Sequence, residues 1–489
     1  MPPQIVPSDN AVTEVSCDAL VVGAQPKDGS FALSASAREV DEALDGYLAE
    51  HLADTGFKAK AGEVAVVPTM RRLNAKSVAI VGLGPPEGLH SSRIRRAAGA
   101  ASRRLGNRFG DIATTLHLEG GVGAATAVAE GFLLGSYRYT ELKSDPRPSK
   151  IQRVALLGAD AAEVDRGTAL GEATLLARDL INEPAGSLTP DALARRAQEI
   201  ADVSDIGCDV LDAKAIDKKG LDGIIAVGKG SDNQPRFIEL TYKPDSAKGH
   251  VALVGKGVTF DSGGLSLKPA ASMETMKTDM SGAAAVLAVM SVVKRLGIAT
   301  AVTAYIPAVE NMPSGRAVRP GDVVRHYGGK TSEVVNTDAE GRLILADALV
   351  VASEGGPDAI VDAATLTGSV QIALGNKIGG LFCNDDDLAA ELETAGETAG
   401  EPLWRMPLFK EYRKQLDSEV ADMKNQGTRY GGSIVAALFL KEFVAEGIPW
   451  AHLDIAGVAR AESDDDRGPK GGTGAATATL LAWLEGRSA

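Results

Sequence analysis

Residues 336–352 read Asn336-Thr337-Asp338-Ala339-Glu340-Gly341-Arg342-Leu343-Ile344-Leu345-Ala346-Asp347-Ala348-Leu349-Val350-Val351-Ala352. Asp338, Glu340 and Arg342 alternate, so an extended backbone would turn two carboxylates and a guanidinium to one face. Like charges placed together repel, and the usual remedies are a positive neighbour or a metal ion. Gly341 interrupts the run. The apolar stretch Leu343 to Ala352 is rich in helix formers and predicts a buried helix. The charged triplet therefore stands at the mouth of a strand–loop–helix unit, a frequent place for chemistry in α/β folds.

Upstream lies Val254-Gly255-Lys256-Gly257-Val258-Thr259-Phe260-Asp261-Ser262-Gly263-Gly264-Leu265-Ser266-Leu267-Lys268-Pro269. A strand ends at Val254, and the glycines allow close backbone approach while Lys256, Asp261 and Lys268 project near a strand end. The order GxxxxGK[ST] of a phosphate loop is absent. Next comes Met276-Lys277-Thr278-Asp279-Met280-Ser281-Gly282, with Asp279 at the start of an Ala-rich helix, where it could equally be an N-cap. Four carboxylates (Asp261, Asp279, Asp338, Glu340) would balance two divalent cations if one lysine bound metal as a neutral amine. Bringing a lysine from about 10.4 to below 7 costs on the order of 5 kcal/mol, which adjacent dications can supply. Oxygen donors alone suit zinc, manganese or magnesium, and a nitrogen donor shifts the choice toward zinc or manganese. Taken one at a time, each of these residues reads as well as a surface charge or a salt bridge.

Beyond these segments, the 489-residue length predicts two domains, and 44% hydrophobic residues suffice for large cores. Cys17, Cys208 and Cys383 form no CxxC pair, which argues against a disulfide framework or a thiolate zinc site. The N-terminus lacks the pattern of a targeting signal and no long apolar run follows, so a cytoplasmic protein without membrane partners is expected. Residues 1–160 carry 18 basic and 18 acidic side chains, leaving the whole net charge of −14 to the remainder. That acidic part suits cations and amines and makes nucleic acid an unlikely partner.

Residues 1–160 alternate short β-branched runs (Leu20–Gly23, Val64–Val67, Val78–Gly82) with helical stretches and predict a smaller N-terminal α/β domain. The turn Gly82-Leu83-Gly84-Pro85-Pro86-Glu87-Gly88 lacks GxGxxG spacing. Arginines at 93, 95, 96, 103, 104 and 108 crowd one predicted helix. It reads as a solvated or subunit-facing surface, with nucleic acid contact as the rival. Residues 161–186 predict a joining helix. Residues 187–489 then alternate strands and helices as a larger C-terminal α/β catalytic domain, with a central mixed sheet covered by helices. His51, His90, His117, His250, His326 and His452 fall outside the polar set; His452, just before a strand at Leu453–Ile455, reads as structural.

The segments Val254–Pro269, Met276–Gly282 and Asn336–Leu343 resemble the signature of the leucyl aminopeptidase (cytosol aminopeptidase) family, and NTDAEGRL is among the most distinctive octapeptides in metallopeptidases. The likeness runs through the C-terminal part of the chain, while the first 160 residues resemble the family's variable N-terminal domain in outline. It implies two divalent metal ions per subunit: one tightly held by Lys256, Asp261, Asp279 and Glu340, the other more exchangeable on Asp261, Asp338 and Glu340. It implies Lys268 and Arg342 as catalytic residues, with Lys268 as electrophile and Arg342 holding a bicarbonate base beside a metal-bridging hydroxide. Met276, Asn336, Thr365, Leu366, Gly368 and Ala456 match substrate-cleft positions. Peptides with a free N-terminus, preferably beginning with leucine or another apolar residue, are the implied substrates, and a homohexamer the implied assembly. A two-metal phosphatase or nuclease is the rival enzyme class that the carboxylates alone would permit.

Overall fold

Side-chain alternation along the strand Ala19–Lys27 organises the first unit of the computed structural model, which describes residues 2–465 and 467–488. Ala19 and Val21 join one apolar cluster with Ile94 and Leu105 of the helix Ser91–Leu105 and Phe132 of the helix Ala124–Ser136. Leu20 and Val22 join another with Val40 of Ala35–Ala43 and Leu48 and Leu52 of Tyr47–Asp54. Successive residues point to opposite faces, so both faces of the sheet must be covered. The sheet has seven strands, ordered Gln4–Ser8, Arg153–Leu157, Asp111–Thr114, Ala19–Lys27, Ser77–Gly82 and Val64–Pro68, with Ser30–Leu33 paired to Ala19–Lys27. It is parallel except at Val64–Pro68 and Ser30–Leu33. The arginines of Ser91–Leu105 are partly drawn inward. Arg95 pairs with buried Glu130 at 3.0 Å, and Arg93 donates to the carbonyl of Pro85 at 2.6 Å.

This unit comprises Met1–Leu175 and Glu462–Lys470; the second comprises Leu176–Ala461 and Gly471–Ala489. The division falls inside the helix Ala161–Asn182. The second unit is built on a nine-stranded mixed sheet. Its order is Leu403–Arg405, Gly379–Cys383, Trp450–Asp454, Ala359–Ala364, His250–Gly255, Ala301–Asn311, Arg236–Tyr242 and Gly207–Leu211, with Gly257–Asp261 paired to Ala301–Asn311. The four central strands run parallel and are almost wholly buried, as their unbroken apolar runs predict. Ala252 and Val254 pack against Leu343, Leu345 and Leu349 of the helix Gly341–Glu354. The helix Ser281–Met290 also packs on that strand and is buried at every position. Burying side chains such as its Leu287 and Val289 contributes roughly 1.5–3 kcal/mol each.

Several sequence expectations need correction. Residues 336–340 form a turn, not an extended segment: the amide of Ala339 donates to the carbonyl of Asn336, and Glu340 already has near-helical angles (φ −81, ψ −35). The amide of Asp338 also donates to Asn336 Oδ1 at 2.9 Å, an Asx turn that competes with strand pairing. The Ala-rich helix expected to start at Asp279 is preceded by a 3₁₀ turn at Met276–Met280 and runs as an α-helix only over Ser281–Met290, followed by turns that close at Gly297 (φ +64). Asp279 does not cap that helix, because Lys256 and Thr365 take its carboxylate. His452 lies within the strand Trp450–Asp454, where it is buried and its Nδ1 stands 2.5 Å from Asp362 Oδ1.

Candidate metal centre

The strands His250–Gly255, Ala359–Ala364 and Trp450–Asp454 are neighbours running the same way, so their carboxyl ends share one edge of the sheet. Lys256 follows the first of these, and Thr365 and Leu366 follow the second. Lys256 is 3% exposed, and its Nζ lies 2.8 Å from Asp279 Oδ2 and 2.9 Å from Glu340 Oε1. It also donates to the carbonyl of Thr365 at 2.9 Å, while Thr365 Oγ1 donates to Asp279 Oδ1 at 2.7 Å. Gly341 makes this approach possible: a Cβ there would sit 2.4 Å from Lys256 Cε. The glycine that breaks the acidic run therefore leaves room for the lysine.

Asp261 ends the strand Gly257–Asp261 and meets the turn carrying Asp338 and Glu340. Ligand oxygens of these three residues lie within 4.8 Å of one another. Lys268 reaches the cluster from the following loop, 2.8 Å from Asp261 Oδ2 and paired with Asp338. Burial raises the carboxyl of Asp279 well above its usual range, against the opposing pull of Lys256. Asp261 and Asp338 are raised as well, through burial first. Burial alone would lower both lysines, but their carboxylate neighbours outweigh it and raise them. Four carboxylates against two lysines leave the cluster short of positive charge. Glu340 Oε2 is buried without a hydrogen-bond donor, and Asp279 Oδ2 and Asp338 Oδ1 meet lysines at ion-pair distance but outside hydrogen-bond alignment. A buried carboxylate oxygen left in that state is costly, so hard oxygen donors beside a lysine amine fit divalent cations on this structure's own terms.

Arg342 is buried in the first turn of the helix Gly341–Glu354. Its Nη1 donates to the carbonyl of Asn425 at 2.8 Å, and its Nε has no partner. Burial pulls its guanidinium down to about 10, against Glu340 and Asp454, which raise it. Arg342 and Asp338 line a cavity together with Asn336, Leu366 and Gly368. Thr365 instead holds Asp279 and Lys256, Ala456 donates its amide to Asp454 Oδ1 at 3.2 Å, and Met276 opens the 3₁₀ turn bearing Asp279.

Sequence reasoning missed two buried amides. Asn311 Nδ2 donates to Asp261 Oδ1 at 2.8 Å and to the carbonyl of Thr337 at 2.9 Å, joining both halves of the cluster. Asn425 accepts from the amides of Val335 and Asn336 and donates to the carbonyls of Asn336 and Ala339, holding the acidic turn in place. The end of a long parallel strand was the available signal for Asn311; for Asn425 there was none. A separate Ser332–His326–Asp347 chain, with contacts of 2.7 and 3.3 Å, is wholly buried, and Asp347 is also occupied by the amides of Ile224 and Tyr327. It is a structural network, closed to substrate.

Comparison with known proteins places the chain in a family. Residues 175–481 match the model of the cytosol aminopeptidase family catalytic domain, and residues 21–146 that of the family's N-terminal domain. A probable cytosol aminopeptidase of Streptomyces coelicolor is 46% identical over 502 aligned residues, covering 97% of this chain and 96% of the relative. Among solved structures, the bottromycin maturation enzyme BotP in complex with Mn superposes with a TM-score of 0.87 at 42% identity, covering 97% of this chain and all of BotP. A tomato leucine aminopeptidase variant superposes at 0.88 with 34% identity, covering 99% and 96%. On both its sequence and its fold, the chain belongs to the cytosol aminopeptidase family.

Proposed function

We propose that this chain is a two-metal aminopeptidase that releases N-terminal residues, leucine or another apolar one by preference. In this reading Lys256, Asp261, Asp279, Asp338 and Glu340 hold two zinc or manganese ions. The observation that carries the reading is the meeting of Asp261, Asp338 and Glu340 oxygens within 4.8 Å, beside a lysine amine shared by Asp279 and Glu340. Divalent ions there supply Lewis acidity and make water acidic enough to act as a nucleophile near neutral pH. Everything else falls to the chain's own side chains.

The carboxylates favour the end of a peptide that carries an amine, which an internal peptide bond lacks, so cleavage is confined to the first residue. Lys268, kept cationic by its neighbours, stabilises the negative charge that develops on the scissile carbonyl oxygen. Arg342 has a buried guanidinium with an unoccupied Nε, suited to a planar oxyanion; bicarbonate held there would supply the general base that no histidine provides. Asn336, Leu366 and Gly368 border the cavity that would receive substrate; Thr365, Met276 and Ala456 are assigned to substrate contact on the family resemblance alone. Family membership supports a cytoplasmic hexamer; among the described residues no helix is long and apolar enough to cross a membrane.

The test pairs p-nitroaniline release from leucine p-nitroanilide with p-nitrophenol release from a phosphate ester, alongside metal analysis. Anilide turnover should vanish on chelation and return with zinc or manganese. Turnover of the phosphate ester alone, or full anilide activity in protein shown to be free of metal, overturns the proposal.

A further inference from the structure

The cavity lined by Asp338 and Arg342 has a second guanidinium in its lining, Arg429, from a segment that also contributes Thr428 and Gly432. Its electrostatic situation is unusual for this protein. Residues 161–489 carry 33 basic against 47 acidic side chains, so cations there have an excess of carboxylates to meet. Exposed arginines of that part commonly find one, as Arg316 does with Asp232 and Arg405 with Asp386. Among the described residues Arg429 has no carboxylate partner; its guanidinium lies over the ring of Tyr430, 5.0 Å from the centroid. Among the described residues that line the cavity Asp338 is the one carboxylate, and Lys268 already engages it.

Arg429 is nevertheless held from both sides. Gln415 Oε1 accepts from the amide and hydroxyl of Thr428, at 3.0 and 2.7 Å. Two residues later Gly431, at φ +63, turns the chain into the helix Gly432–Lys441, which has no side-chain cap and no acidic residue in its first turn. A guanidinium is a planar fork suited to two parallel bonds with a carboxylate. One extended residue spans about 3.5 Å, so the C-terminal carboxylate of a dipeptide lies only about two residues from its amine. Asp338 belongs both to the carboxylate cluster and to the lining of this cavity, and Arg429 lines the same cavity, so a substrate that short meets both charges within one cavity.

We propose that Arg429 is a specificity residue that binds a substrate carboxylate just behind the scissile bond, so that the enzyme favours dipeptides with a free C-terminus. This rests on the aminopeptidase reading above and deepens it by naming a substrate class. The same chemistry could be met by an acidic side chain on the second residue, and the substrates below separate the two sources.

The metal-loaded enzyme is assayed with Leu-Gly, Leu-Gly-amide, Leu-Glu-amide and leucine p-nitroanilide, as the unaltered protein and as Arg429→Ala and Arg429→Lys. The ratio of kcat/KM for Leu-Gly over Leu-Gly-amide should fall about tenfold in Arg429→Ala. The change should sit in KM, and Arg429→Lys should restore part of it. A fall confined to Leu-Glu-amide over Leu-Gly-amide would keep the carboxylate site and assign it to the side chain of the second residue. Equal changes on charged and uncharged substrates overturn the proposal while leaving the aminopeptidase reading intact. Failure of the unaltered enzyme on all four substrates removes the aminopeptidase reading and this one with it.

Discussion

The two units share a plan, a largely parallel central sheet packed by helices, and differ in what they do with buried charge. In the N-terminal unit the buried acid Glu130 meets the guanidinium of Arg95 at 3.0 Å. In the catalytic unit Lys256, Asp261, Asp279, Glu340 and Arg342 are buried around the carboxyl ends of the central strands. Among the described residues, the carboxylate grouping tight enough to hold an ion lies there. The contrast teaches that an α/β sheet offers a place for chemistry without supplying it. What turns the second sheet into a site is charge that the protein does not itself neutralise.

The severest break of that contrast is to remove charge from the catalytic unit while leaving the proposed metal ligands in place. Lys268→Ala and Arg342→Ala should each lower kcat by about 100-fold or more, the scale expected when a group that acts on transition-state charge is lost. Metal content, measured on the same preparations, should be unchanged. Near-full turnover in either variant would remove that residue from the mechanism.

Much of this site was legible before any coordinates. Lys256, Asp261, Lys268, Asp279, Asp338, Glu340 and Arg342 stand beside glycines or at element ends, and all seven gather at or beside one cluster. The reason given for the last three was wrong in one respect. Alternation in an extended strand was expected to align them, whereas a turn followed by the first helical residues does so. Local spacing could not distinguish these, because the turn is held by Asn425, 89 residues from Asn336. The assignment of Glu462–Lys470 to the N-terminal unit was illegible for the same reason: periodicity reports local conformation, and a return of the chain from far away leaves no periodic trace. The buried Ser332–His326–Asp347 chain shows the opposite hazard, since residue types suggestive of catalysis here only hold segments together.

A smaller effect sharpens the comparison at one glycine. In Gly341→Ala the new methyl would fall 2.4 Å from Lys256 Cε and 2.7 Å from its Nζ. Lys256 is held by Asp279, Glu340 and the carbonyl of Thr365, so it cannot withdraw without losing a partner. Overpacking of this kind costs about 1–3 kcal/mol. Metal retention in a chelator competition should weaken and turnover should fall about tenfold, less than for loss of Lys268. A variant that keeps its metal and its rate would mean that Lys256 is free to move, contrary to the packing seen.

The mildest test lies in the N-terminal unit, at Asp18. Its carboxylate pairs with Lys76 at 2.7 Å and accepts from the amides of Gly110 and Asp111 at 2.9 and 3.0 Å. Lys76 first, then the two amides, hold it down at about 2. A depressed acid stabilises the fold above its unfolded value near 4 and loses that contribution as pH falls through the folded value. The unaltered chain should therefore lose this share of stability between about pH 4 and pH 2. Lys76 is largely exposed, so water screens most of the ion pair and the net contribution is on the order of 1 kcal/mol. Asp18→Asn should lower the unfolding free energy by about that amount at pH 7, and the difference from the unaltered chain should shrink toward zero by pH 2. Because the carboxylates proposed to gather cations belong to the other unit, kcat at saturating substrate should not respond. A change in kcat at Asp18 would show that buried charge in the catalytic unit is not sufficient to set the rate, and the contrast between the two sheets would have to be redrawn.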